Sequence, residues 1–263
     1  MKAYLAIIKA KASTLLHYRA TMLAGIGTQI FWGVLNAAVI TAFYGQNPSQ
    51  QPLSLSQAIA FMWLGQTLLQ LLPWVIDPEL EELVKNGNVA YELARPVDLY
   101  WAWFFRSATS RFIPALIHSI PVFLVAWSFF DLRFPASWLS CITFPLSVAF
   151  AAFLSGTIAT LIVISLFWTT CGEGIKKLMP HTSLLLSGVV LPLPLFPDWL
   201  QPFLCIQPLR GITDIPARIY TDVIPGGEAF FYLGFQLAWS LGFILLGKWL
   251  LRRALKQLVI QGG

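Results

Sequence analysis

Residues Asp77–Asp98 read DPELEELVKNGNVAYELARPVD, and this stretch decides how the rest of the chain is understood. It holds Asp77, Glu79, Glu81, Glu82, Glu92 and Asp98, six of the twelve acidic residues of the 263-residue chain. The sequence on either side is apolar enough for a bilayer core. A charge at the centre of a membrane costs several kcal/mol on insertion scales, so the insert is expected outside the bilayer. Its ends are also marked for helix formation. Asp77 suits an N-cap and Pro78 the first helical position. Glu79, Glu81 and Glu82 favour the positive end of the helix dipole. Leu80, Leu83 and Val84 form a short apolar stripe, and Asn86-Gly87-Asn88 ends the helix, with Gly87 suited to a left-handed cap. So short a helix is marginal alone in water and gains stability by docking. It is either a docking helix for a cytoplasmic partner or a solvated elbow between two spans.

Outward from the insert, the composition is that of an integral membrane protein. Hydrophobic residues make up 57% of the chain and charged residues 11%, against about 25% charged in soluble domains. Several runs approach the roughly 20 apolar residues needed to cross a hydrocarbon core. Alternation with a period of two, the mark of a membrane barrel, is absent, so the expected fold is all-α. Six spans are expected, at about 22–44, 55–76, 107–130, 142–169, 175–193 and 229–251. Residues 1–20 mix apolar residues with lysines. They suit a helix at the cytoplasmic interface, or simply the cytoplasmic start of the first span. Residues 197–220 are broken by prolines. Irregular backbone at membrane depth survives only when covered by protein or lining a cavity, which points to a segment dipping into or lying on the outer leaflet.

Orientation follows from the basic residues. Six spans place Lys2, Lys9, Lys11, Arg19, Lys85, Arg95, Arg106, Arg111, Lys176, Lys177, Lys248, Arg252, Arg253 and Lys256 on the side of the termini, 14 of the 17 lysines and arginines. Arg133, Arg210 and Arg218 fall on the other side. Both termini and the acidic loop are therefore expected in the cytoplasm. The same asymmetry explains the net charge of +5 without nucleic acid as a partner.

Chemistry-bearing motifs are few. No stretch matches the phosphate-binding G-x-x-x-x-G-K-[ST] pattern or the zinc-binding H-E-x-x-H. Cys141, Cys171 and Cys205 lack metal-ligand spacing, and no metal site is expected. Within the spans, Asn36, Gln66, Gln70 and His118 are candidate pathway residues, with Gln66 and Gln70 on one helix face. An intramembrane histidine is a functional candidate, though bonding to a neighbouring helix is the plainer role. The spans show no clear charge relay, which argues against an ion-coupled transporter. Small residues recur every four positions at Ala152, Gly156 and Thr160 and at Gly234, Ala238 and Gly242, allowing close helix approach within a subunit or between subunits.

Taken in order, these pieces resemble the permease subunit of ABC-2-type exporters, in the viologen-exporter-like, multidrug-export branch. The resemblance rests on an interfacial N-terminus, six spans and ELVKNGNVAYELARPVD after the second. It rests also on SGVVLPLPLFPDWLQPF with PLRGITDIPARIY before the last span, and on the basic tail RRALKQLVIQGG. It implies half of a membrane dimer in the bacterial plasma membrane, with an identical or homologous second permease. Two copies of a separate cytoplasmic ATPase would hold ATP and Mg, and this chain would bind no cofactor. A coupling helix would be formed around Glu79, Leu80, Glu82, Leu83, Val84, Lys85 and Gly87, with Arg95 and Pro96 in the same loop. Spans one, two and five would line a route for a small lipophilic or cationic compound. Two other readings stay open. One is a six-span scaffold or assembly factor without transport; the other is an intramembrane hydrolase using Ser155 and His118.

Overall fold

Local signals in the sequence set the helix boundaries of the computed structural model, which describes residues 2–46, 52–130, 132, 134–135, 137–169 and 173–257. Arg133, Cys171, much of the polar join after the first span and the end of the basic tail lie outside the described residues. The chain forms α1 (Lys2–His17), α2 (Arg19–Gln46), α3 (Leu55–Leu68), α4 (Pro78–Lys85) and α5 (Val89–Leu93). These are followed by α6 (Leu99–Phe129), α7 (Trp138–Ser165), α8 (Glu173–Ser187), α9 (Gln201–Ile206), α10 (Asp214–Tyr220) and α11 (Gly226–Gln257). No strand occurs among the described residues.

Among the described residues, four helices are long and apolar enough to cross a membrane: Ala20–Gly45, Leu99–Phe129, Trp138–Ser165 and Gly226–Lys256. The other two expected spans form shorter helices. Helix α3 has 14 residues and continues as a 3-10 turn over Leu69–Leu71. It stops there because Pro73 holds Leu72 in an extended conformation, at φ −62° and ψ 139°. Helix α8 has 15 residues and stops at Gly188, which adopts φ +88°. The third expected span starts earlier than read, at Leu99, because Asp98 caps it by accepting from the Trp101 amide at 3.1 Å.

Contacts sort the helix ends into two groups. At one end, Leu80 and Val89 share a buried cluster with Leu99, Tyr100 and Trp103 of α6 and Leu251 of α11. Lys248 of α11 sits 4.9 Å from the centre of the Trp101 ring, and Lys176 of α8 pairs with Glu81 of α4. At the other end, Tyr44 donates to the Leu53 carbonyl at 2.9 Å and Gln57 to the Thr221 carbonyl at 3.3 Å. There too, Ser140 donates to Asp222 at 3.3 Å. Helix α7 runs through the middle: 67% of its most apolar stretch is buried, against 22% for α2 and α6 and 28% for α11. Gly156 lets α7 approach α6, since a Cβ there would stand 2.9 Å from Phe104 and 3.0 Å from Ala108. The corresponding stripe on α11 differs, for Gly234, Ala238 and Gly242 face outward.

Between α8 and α11 the chain turns back into the bundle. The 3-10 turn Pro208–Gly211 lies beside Ser147 and Gln236, and Gln236 Nε2 donates to the Gly211 carbonyl at 2.6 Å and the Ser147 carbonyl at 3.1 Å. Both residues stand about 14–15 Å along their helices at 1.5 Å per residue. Irregular backbone at that depth needs internal partners, and glutamines supply them. Gln207 accepts from the Leu209 amide at 2.7 Å and donates to the Leu186 carbonyl at 2.7 Å. Gln201 donates to the Leu193 and Phe196 carbonyls at 2.9 and 2.8 Å. Asp214, fully enclosed, accepts from Arg218 at 2.9 Å and lies 3.2 Å from Arg210.

Candidate functional site

The insert Asp77–Asp98 folds into a two-helix elbow. Asp77 caps α4, its Oδ1 accepting from the Glu79 amide at 3.1 Å, with Pro78 in the first turn. Helix α4 ends at Asn86 and Gly87 follows at φ +69°, a conformation that suits glycine. That much the sequence announced. The second helix, α5, has five residues, too few for a periodic pattern to show.

Three other helices converge on the acidic face of α4. Lys11 of α1 lies 2.8 Å from Asp77 and 3.3 Å from Glu79. Arg106 of α6 pairs with Glu79. Lys85 sits 2.6 Å from Glu81, which also meets Lys176 of α8. Ser110 of α6 donates to Asp77 Oδ2 at 3.0 Å. Burial alone would push the Asp77 carboxyl up; Lys11, Ser110 and Arg106 outweigh that and hold it below the usual carboxylate range. Glu79 is likewise lowered against the pull of burial, by Arg106 and Lys11, and Glu81 by Lys176 and Lys85. Helix α1 is tied down further along, where Tyr4 Oη accepts from the Asp98 amide at 3.2 Å and its ring lies 5.3 Å from that of Phe105.

The apolar stripe of α4 faces the chain's own helices. Leu80 is fully enclosed, and Leu83 and Val84 pack against the same cluster as Trp103 and Ile164. The residues left outward include Glu79, Glu82, Lys85, Gly87, Asn88, Tyr91, Leu93, Arg95 and Pro96. Tyr91 is 76% exposed and Leu93 45%. Among these residues lies a depression of about 360 Å³, lined by Glu79, Glu82, Leu83, Asn88, Glu92, Arg95 and Arg106.

A second polar group lies inside the bundle. His118 Nδ1 stands 3.2 Å from Gln70 Nε2 and 3.2 Å from Gln29 Oε1. One nitrogen cannot accept from the first amide and donate to the second at once, so it serves one neighbour at a time. Of the candidate pathway residues, the structure joins Gln70 and His118. Gln66 is buried nearby on α3, and Asn36 is half-buried on α2. Gln29 was missed, although a glutamine within the first apolar span was as visible as Asn36. Ser155 and His118 are engaged separately: Ser155 donates to the Leu71 carbonyl and His118 meets the glutamines. The pairing a hydrolase needs is not formed.

Arg111 was also passed over, counted with the loop arginines. It is 7% exposed within α6 and donates to the Ser107 carbonyl at 2.8 Å and to the Val75 carbonyl at 2.5 Å.

Residues 39–262 match the family described as ABC-2 family transporter protein. No match was found among the curated proteins or the solved structures. The family consists of membrane components of ABC transporters, which are not themselves catalytic and work with an ATPase. With most of its length matched and four membrane-length helices among its described residues, the chain belongs to the ABC-2 transporter family as a multi-pass membrane permease.

Proposed function

We propose that the protein is an export permease of the bacterial plasma membrane that crosses it six times, with both termini in the cytoplasm. It pairs with an identical or homologous permease and is driven by two copies of a cytoplasmic ATPase, which bind ATP and Mg. Helices α3 and α8, extended by the chain after each, complete the six crossings. The elbow α4–α5 docks on the ATPase. Its inward stripe (Leu80, Leu83, Val84) fixes it to the permease, and Glu79, Glu82, Lys85, Gly87, Tyr91, Leu93, Arg95 and Pro96 face the partner. Gln29, Gln66, Gln70 and His118, with Asn36, border the route of a small lipophilic or cationic cargo, for which aromatic walls offer cation–π contact.

The observation that carries this reading is the convergence of α1, α4, α8 and α6 at one end through Lys11, Lys176 and Arg106. These belong to the 14 basic residues that the positive-inside rule assigns to the cytoplasm. The outward elbow surface then lies where a soluble ATPase can reach it.

The test is labelling with a membrane-impermeant thiol reagent in a variant whose three cysteines are serine. Asn86→Cys should label only after permeabilisation, and Asp198→Cys in intact cells. The reverse pattern overturns the orientation. In vesicles holding the permease and its ATPase, cargo should stimulate ATP hydrolysis. A scaffold would leave hydrolysis unchanged.

A further inference from the structure

A strut of irregular chain, Leu72–Asp77, joins the end of the α3 segment to the start of α4. Both its ends are held by side chains from other helices. Ser155 of α7 donates to the Leu71 carbonyl. Arg111 of α6 donates to the Val75 carbonyl at 2.5 Å, and the neighbouring Ser110 donates to Asp77 at 3.0 Å.

Arg111 is an expensive way to satisfy a carbonyl. It stands about 18 Å along α6 from Leu99, at 1.5 Å per residue, and is 7% exposed. A buried guanidinium carries a desolvation cost that a neutral amide avoids. Its Nε has no hydrogen-bond partner among the described residues. What it offers instead is a planar fork that spans two groups in a fixed direction. Here one arm holds the Ser107 carbonyl of its own helix and the other holds the strut. The segment before α4 and helix α6 therefore cannot shift past one another without breaking a charged hydrogen bond.

We infer that Arg111 is a positioning residue for coupling: it makes the α3–α4 strut and α6 move together, so that displacement of α4 by the ATPase reaches the bundle. Ser155 does the same toward α7. This rests on the coupling role proposed above for the elbow.

The experiment uses vesicles containing the permease with its ATPase and, with the aromatic cation ethidium as the cargo probe, measures ATP hydrolysed and probe moved, each per mole of intact complex. Arg111→Gln should leave hydrolysis within about twofold while cargo moved per ATP falls about tenfold, the scale of one lost charged hydrogen bond. Arg111→Lys should recover part of that ratio, because an ammonium reaches one carbonyl but not both. An unchanged ratio in Arg111→Gln overturns the inference. So does a parallel fall of hydrolysis and transport with the amount of complex, the signature of a purely structural arginine. If Arg111→Gln fails to accumulate, Ser155→Ala decides: its ratio should fall in the same direction, and an unchanged ratio overturns the inference. A wild-type permease that retains no ATPase overturns the coupling reading itself, and this inference with it.

Discussion

The Lys11 ammonium stands 2.8 Å from the Asp77 carboxylate, and the Asp77 side chain is 1% exposed. One ion pair thus joins the N-terminal helix to the cap of the elbow, and the same carboxylate holds the first turn of α4 and accepts from Ser110 of α6. Removing one member of a buried pair leaves the other uncompensated, at about 3–5 kcal/mol. Lys11→Met should therefore lower the thermal midpoint of the detergent-solubilised protein by several degrees. Asp77→Asn, which keeps an oxygen for the cap, should cost less. Equal midpoints for Lys11→Met and wild type would show that the pair contributes nothing to the fold.

Acid should loosen this junction. The carboxyls of Asp77, Glu79 and Glu81 are lowered in the folded protein, so the unfolded chain binds protons more readily there. The stability they contribute is complete above the unfolded carboxylate range, near pH 4, and is lost as the pH falls through the lower folded values. The thermal midpoint should be flat from pH 7 to about 5 and fall below about pH 4. Lys11→Met should shallow that fall, because it removes part of what keeps Asp77 ionised.

The two faces of the elbow should respond differently. Tyr91→Ala alters an exposed side chain and should change stability by no more than about 0.5 kcal/mol. If that face meets the ATPase, the same variant should lose co-purification with it. Leu80→Asp places a charge in an enclosed site and should prevent accumulation of folded protein. A Tyr91→Ala permease that binds its ATPase normally would remove that residue from the interface.

Gly87 offers a narrower check. Its φ of +69° is strained for any residue with a Cβ, and nothing stands within 4 Å of that position. Gly87→Ala should cost about 1–2 kcal/mol through the backbone alone, and Gly87→Asn distinctly less. Thermal midpoints of the three proteins separate a conformational requirement from a packing one.

Gly25 is the opposite case. A Cβ there would lie 2.6 Å from His118 Cε1, so Gly25→Ala must displace the ring that Gln29 and Gln70 contact. Overpacking of this kind costs about 1–3 kcal/mol. Most of that should vanish in Gly25→Ala with His118→Ala, a non-additivity that a double-mutant cycle reads directly.

Much of the elbow was legible in its sequence because its signals are local. Asp77, Pro78, the acidic first turn and Gly87 each act within a turn of helix. The direction of the Leu80 stripe was not, since an amphipathic helix buries its apolar face equally well on a partner or on its own chain. Pro73 and Gly188 were visible, yet the apolar sequence around them suggested that the second and fifth helices ran on. Length and hydropathy outweighed two residues that stop a helix by backbone geometry. Arg111 was hidden for a different reason: its partner is the carbonyl of Val75, and no pattern of side chains marks which carbonyl will be left unpaired. Gln236 was hidden likewise, for the Gly211 carbonyl it serves comes near it only once the chain has folded back.

That last contact imposes an order of assembly. The turn Pro208–Gly211 cannot satisfy its own backbone, and the amide that serves Gly211 belongs to α11, which follows it in the chain. During synthesis the Gly211 carbonyl can meet this amide only after α11 has been made and has settled against α7. The turn gains this donor only once α11 is in place, and a chain cut short before Gln236 leaves the Gly211 carbonyl without it.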